Sequence, residues 1–225
     1  MSVWPRPNAR AFKDRHEAGL ALAGLLQDYA HRNDVVVLAL PRGGVPVAYE
    51  VAAALHVPLD VFSVRKLGVP GHPELAMGAI ASGGVQVLND EVLAWYQPSA
   101  DTLEAVARVE MRELDRRERL YREGRPLMLV EGRCVLLVDD GLATGSTMRA
   151  AVQAVRQLHA RQVVVAAPVG AADTCQALRR VADDVVCVLM PDHFTAVGAW
   201  YVDFSETTDD EVRRLMTMAR EPARH

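Results

Sequence analysis

Runs of branched apolar residues alternate with segments of helical spacing along most of this chain. The runs are "VVVLAL" (35–40), "LDVFSV" (59–64), "CVLLVDD" (134–140), "QVVVAAPV" (162–169) and "DVVCVLM" (184–190). Near-continuous Val and Leu belong to strands covered on both faces. The segments Val45–His56, "TMRAAVQAVRQLHA" (147–160) and "ADTCQALRRVA" (172–182) supply the covering helices. The pattern predicts an α/β fold, a parallel sheet flanked by helices. Two shorter strands, "AMGAIA" and "VQVLN", lie on either side of Ser82-Gly83-Gly84.

The reading places all 225 residues in a single domain. Its core spans about residues 31–190, with a helical insertion at about 90–125. Within the insertion, Ala100 to Gly124 forms a long charged helix opened by the pair Asp101 and Glu104. Its default state is a solvated helix packed on one side, and a homo-oligomer contact is left open. Residues 191–207 form a small irregular, aromatic hood. A C-terminal helix follows over 208–220, with Thr208 and Glu211 as its capping box.

Net charge is −4, a poor balance for gripping nucleic acid through its phosphates. No apolar run is long enough to span a bilayer. The opening "MSVWPRPNAR" lacks the apolar centre of a signal peptide. The three cysteines, Cys134, Cys175 and Cys187, show no C-x-x-C spacing. They are expected to be reduced thiols in a cytoplasmic protein without nucleic-acid or membrane partners.

The chemistry concentrates in "VLLVDDGLATGSTMRAAV", Val135 to Val152. A buried-type strand ends in Asp139 and Asp140. The loop Gly141-Leu142-Ala143-Thr144-Gly145-Ser146-Thr147 then runs into a helix. In open parallel sheets, ligands bind beyond the carboxyl ends of the strands. Successive amides and hydroxyls at a helix start make an anion cradle. No Lys follows the glycines, and the dinucleotide fingerprint is absent. Paired acids beside a phosphate cradle suit a ligand with both hydroxyls and a phosphate, such as a ribose 5-phosphate. The same acids beside a polyphosphate would attract Mg²⁺.

This string resembles the phosphoribosyl-pyrophosphate (PRPP) motif of the type I phosphoribosyltransferases. That family's fold is a parallel sheet wrapped by helices, with a small hood over the active site. A second stretch agrees. Pro41-Arg42-Gly43-Gly44, after the first strand, resembles the family's diphosphate-binding turn. There the glycines would let amides approach the diphosphate, and Arg42 would add a charged contact. The resemblance also implies a cis peptide between Pro41 and Arg42. Arg65 and Lys66, read as closing the second strand on the same sheet edge, would neutralise the leaving diphosphate. Gly68 to Pro73 reads as a mobile loop covering the reacting centre, and His72 and Glu74 as loop residues rather than catalysts. From "LPRGG" through "RKLG" to "WYVDFSETTDDEV", the chain resembles a bacterial subgroup of the family without an assigned acceptor.

The resemblance implies transfer of the 5-phosphoribosyl group from Mg-PRPP to a ring nitrogen, with release of pyrophosphate. Arg42, Lys66, Asp139 and Asp140 would be the catalytic residues, and Mg²⁺ the cofactor, held near Asp139, Asp140 and Asp203. Phe194 and Trp200 of the hood would contact the base. The acceptor would be a small molecule. No Lys stands in "APVGAAD", where the family's purine-salvage enzymes carry one, which argues against a 6-oxopurine. The competing reading is a PRPP-binding regulator that has lost transfer.

Overall fold

The computed structural model describes residues 11–220. Residues 1–10 and 221–225, with the opening "MSVWPRPNAR", lie outside the described residues. The central sheet has five parallel strands: β1 (Val35–Ala39), β2 (Leu59–Val61), β6 (Cys134–Val138), β7 (Gln162–Val169) and β8 (Asp184–Leu189). Their order is β2-β1-β6-β7-β8. Successive side chains of a strand point to opposite faces, and both faces are dry. Val35, Val37, Ala39, Leu136, Val138, Val164 and Ala166 form one core with α1 (Arg15–Leu25), α2 (Gly44–Leu55) and α7 (Asp209–Met218). Val36, Leu38, Val135, Leu137, Val163 and Val165 face α5 (Ser146–Gln157) and α6 (Ala172–Leu178) on the other side. The parallel, doubly covered sheet expected from the Val and Leu runs is present.

A second sheet is antiparallel, in the order β3-β4-β5: β3 (Val64–Val69), β4 (His72–Ala81) and β5 (Val85–Leu88). It corrects two expectations. "LDVFSV" is not one strand, because the chain leaves the main sheet after Val61 and enters the small sheet at Val64. Gly68 to Pro73 is not an open loop. β3 and β4 pair across it as a hairpin with register shifts at Gly68, turning at Pro70-Gly71, where Gly71 has φ 81°. Glycine meets that left-handed backbone without steric cost.

The insertion holds two helices, α3 (Asp90–Tyr96) and α4 (Ala100–Arg122). Asn89 caps α3. The cap of α4 is Ser99, whose Oγ accepts from the Thr102 amide at 3.1 Å, rather than the Asp101 and Glu104 pair. Ala107 and Leu114 of α4 pack on Leu67 and Ile80 of the small sheet. At the far end of α4 the buried Arg122 reaches Asp60 at 3.0 Å, Glu118 at 2.7 Å and the Val61 carbonyl at 2.6 Å. This network ties the insertion to the edge of the main sheet. Thr208 caps α7 as expected, accepting from the Glu211 amide at 3.1 Å.

The helix α1 has no counterpart among the sequence-based expectations. Its buried stripe is small, Ala18, Gly19, Leu22 and Ala23. A Cβ on Gly19 would come within 2.8 Å of the Val47 carbonyl and Glu50 Cβ, so glycine permits close packing against α2. Among the described residues no helix is long and apolar enough to cross a membrane. The three cysteines are buried free thiols.

Candidate functional site

The chain leaves β1 toward β2 on one side and leaves β6 toward β7 on the other. The crevice between the β1 and β6 loops is therefore the point where strand order reverses, the favoured ligand position in such sheets. Pro41-Arg42-Gly43-Gly44 follows β1, and Asp139-Asp140 follows β6. The Leu40 amide donates to the Val138 carbonyl at 2.9 Å, holding the two exits side by side.

The glycines of the first loop are set by the acids of the second. A Cβ on Gly43 would overlap Asp140 Oδ2, and one on Gly44 would lie 2.8 Å from the Val138 carbonyl and 2.9 Å from Asp139 Cα. Small residues are needed here for close packing between the loops, a requirement the sequence pattern does not reveal. The Pro41–Arg42 peptide is cis.

Asp139 and Asp140 are partly buried neighbours. The Asp140 amide donates to Asp139 Oδ1 at 2.8 Å. Burial, and then the charge of Asp140, push the Asp139 carboxyl well above the usual carboxylate range. Burial raises Asp140 as well, while Arg15 pulls it back. Arg15, the first residue of α1, places Nη2 at 2.8 Å and Nε at 2.9 Å from Asp140 Oδ2. Both side chains of this pair are largely buried.

The loop after the acids is shaped as an anion cradle. The Leu142 amide is used by the Val169 carbonyl at 2.9 Å, and the Thr174 hydroxyl fixes the Ala143 carbonyl at 2.5 Å. Ser146 N lies 3.5 Å from Thr144 Oγ1. Among the described residues, the amides of Ala143, Thr144, Gly145 and Thr147 have no protein acceptor. Gly145 stands at the N-cap of α5 with φ 71°, and a Cβ there would meet Thr174 Cγ2 at 2.6 Å. Free amides at a helix N-terminus can receive a phosphate.

Arg42 points to the C-terminal segment. It pairs with Glu206, and its Nη1 lies 3.7 Å from Asp209 Oδ1. Asp209 also accepts from the Tyr121 hydroxyl at 2.6 Å, and burial together with this acceptor raises the Tyr121 pKa. Arg65 and Lys66 are not at the end of a main-sheet strand; both lie on β3. Arg65 is committed to Glu110 of α4, with Nη2 at 2.7 Å and Nε at 2.8 Å. Lys66 is exposed on the hairpin.

In the hood, Phe194 and Trp200 pack with Phe12, Leu189 and Tyr201 in a small apolar cluster. The aromatics tied to the acids are others. The Tyr201 hydroxyl donates to the Asp140 carbonyl at 2.6 Å, and the Arg15 guanidinium carbon lies 4.0 Å from the centroid of the Phe204 ring. Val197 rests on Gly141, where a Cβ would collide with it. Asp203 turns its carboxylate to the Ser205 amide at 2.9 Å. Among the described residues no group of three or more His, Cys, Asp or Glu gathers to hold a metal, so Asp203 does not join the acid pair as expected. The donor set fits Mg²⁺ held by one or two carboxylates, waters and a ligand's phosphate oxygens, not an all-protein cage.

Tyr201, Phe204 and Glu206 lie within the stretch "WYVDFSETTDDEV", but the sequence reading gives them no part in holding the acids or Arg42, and Arg15 stands outside every motif. Each acts through a partner more than 60 positions away.

A sequence model described as "Phosphoribosyl transferase domain" matches residues 10–205. The Mycobacterium tuberculosis (strain H37Rv) protein named "Putative phosphoribosyl transferase Rv0571c" is 49% identical over 210 residues, 93% of this chain and 47% of that protein. The chain thus spans about half the length of the curated relatives it matches. The crystal structure of TT1426 from Thermus thermophilus is 44% identical, with a TM-score of 0.82 over 92% of this chain and 98% of that one. With the PRPP-type loop, the acid pair and the Arg-Gly-Gly turn meeting at one strand switch, the chain belongs to the phosphoribosyl transferase domain family.

Proposed function

We propose that this chain transfers the 5-phosphoribosyl group from PRPP to a ring nitrogen of a small heteroaromatic acceptor, releasing pyrophosphate. The observation that carries the reading is the set of free amides of Ala143, Thr144, Gly145 and Thr147 after Asp139 and Asp140, the acids against which the glycines of the Arg42 turn pack. The 5-phosphate sits on the amides, and the ribose diol hydrogen-bonds to the acids. Arg42 and Lys66 meet the diphosphate. Lys66 reaches it from the β3–β4 hairpin, while Arg65, held by Glu110, orients that hairpin. Mg²⁺ bound with PRPP supplies charge neutralisation at the departing diphosphate. Positioning and electrostatics then account for catalysis, since the leaving group needs charge stabilisation more than covalent help. The acidic chain and the Mg-PRPP substrate suit a cytoplasmic enzyme of nucleotide metabolism.

The test is pyrophosphate release from Mg-PRPP across a panel of purine and pyrimidine bases, alongside calorimetric PRPP binding. Release with at least one base is expected. Binding to PRPP should vanish in the Asp139→Asn/Asp140→Asn double variant while the fold persists. PRPP bound but consumed with no acceptor would move the regulator reading ahead. Unchanged affinity in the double variant would remove the site assignment.

A further inference from the structure

The segment after the hood places a carboxylate on the arginine of the diphosphate turn. Glu206 pairs with Arg42, and the two side chains are 76% and 37% exposed. The backbone around Glu206 is held firmly. The Ser205 carbonyl accepts from Arg15 Nη1 at 2.7 Å, and the Ser205 amide donates to Asp203 at 2.9 Å. Thr207 is buried, and Thr208 caps α7. Asp209, the second acid near Arg42, is engaged by Tyr121. These contacts hold the backbone on both sides of Glu206, whose own side chain projects into solvent.

We propose that Glu206 is a stand-in for the diphosphate: an internal competitor that pairs with Arg42 and must be displaced when the diphosphate arrives. This inference rests on the proposed function, which makes the Arg42 turn the diphosphate side of the site. A singly charged anion exchanges one charge contact for another and gains nothing. A diphosphate brings several charges, and its oxygens match the arginine fork. The competitor thereby selects for highly charged ligands at Arg42. Because the pair is exposed, the penalty it imposes is small. Exposed ion pairs correspond to about a two- to fivefold change in affinity.

Calorimetric titration with inorganic pyrophosphate in magnesium-containing buffer tests the idea, with ribose 5-phosphate as the control ligand. Glu206→Gln is expected to tighten pyrophosphate binding about two- to fivefold and to leave ribose 5-phosphate unchanged. In an Arg42→Ala background the same substitution should have no effect on pyrophosphate. Equal pyrophosphate affinity in the wild type and Glu206→Gln overturns the competitor while leaving the site reading intact. Tightening of equal size in the Arg42→Ala background overturns it too, because the effect would then be general charge removal. Pyrophosphate binding to neither protein, with ribose 5-phosphate still bound, removes the diphosphate assignment of the turn and this inference with it.

Discussion

Arg15 and Asp140 are 125 positions apart in the chain, yet the guanidinium and the carboxylate meet at 2.8 Å with both side chains largely buried. Removing one member of a buried pair leaves the other charge without compensation. Arg15→Ala is expected to cost about 2–4 kcal/mol of stability in urea denaturation. PRPP binding should weaken as well, because Asp140 loses its fixed orientation. Arg15→Lys keeps the charge without the fork and should recover only part of both losses.

Burial of the acid pair carries a cost to the fold. Asp139 titrates well above the usual range because burial and Asp140 disfavour its charge. A raised carboxyl pKa means stability lost as pH rises through the folded value. Asp139→Asn removes the charge and keeps the shape. It should raise the thermal midpoint at neutral pH by about 2–4 °C, a gain on the order of 1 kcal/mol. PRPP affinity should fall in the same variant. A midpoint below that of the wild type at pH 7 would contradict this account.

Two glycines give a matched contrast. Gly43→Ala forces a methyl into Asp140 and should cost about 1–3 kcal/mol, as overpacking does. Gly24 lies in α1 with nothing within 4 Å of its added Cβ. Gly24→Ala should be neutral or stabilising by about 0.5–1 kcal/mol. Parallel thermal melts read both.

At the opposite end of the sheet, the side-chain hydrogen bond from Arg32 holds the Asp34 carboxyl down to about 2, with the charges of Arg32 and Arg161 adding to it. A depressed carboxylate contributes stability above its unfolded pKa, which is lost as pH falls through the folded value. The loss therefore falls between about 3.8 and about 2. Asp34→Asn should show a shallower decline of the urea midpoint over that interval than the wild type. The difference should be small because the site is exposed.

The main sheet was legible because each of its strands is short and nearly all apolar, which leaves few alternatives. The acid pair and its loop were legible because they lie together in one stretch of chain. The elements that escaped lack that locality. "LDVFSV" reads as one strand, since nothing in its residue types marks the step from main sheet to small sheet at Phe62-Ser63. Gly68, Gly71 and Pro73 suggest an open loop, yet the pairing of β3 with β4 overrides the turn signals. The stripe of α1 is built largely of Ala and Gly, too weak a signal to mark a helix. Phe194 and Trp200 resemble base contacts because aromatic residues serve both stacking and packing. Both are partly buried against the cluster of Phe12 and Leu189, a packing that leaves the base-contact expectation untouched.

The stretch around Phe12 is joined to the stretch around Tyr201 by three backbone hydrogen bonds. The Phe12 amide donates to the Trp200 carbonyl at 2.8 Å, Val202 to Phe12 at 2.8 Å, and Asp203 to Lys13 at 2.9 Å. A ribosome makes Phe12 long before it reaches Trp200, so these partners are far apart in time. The strands through Leu189 have all been synthesised before the seam can close, so the nascent sheet already carries Asp140. The aromatic bed and carbonyl that seat Arg15 against it have yet to emerge. Assembly of the candidate site thus waits on the segment past residue 200, and a chain interrupted after residue 190 has the sheet's sequence and Arg15 without Tyr201, Phe204 and the Ser205 carbonyl that seat Arg15 against Asp140.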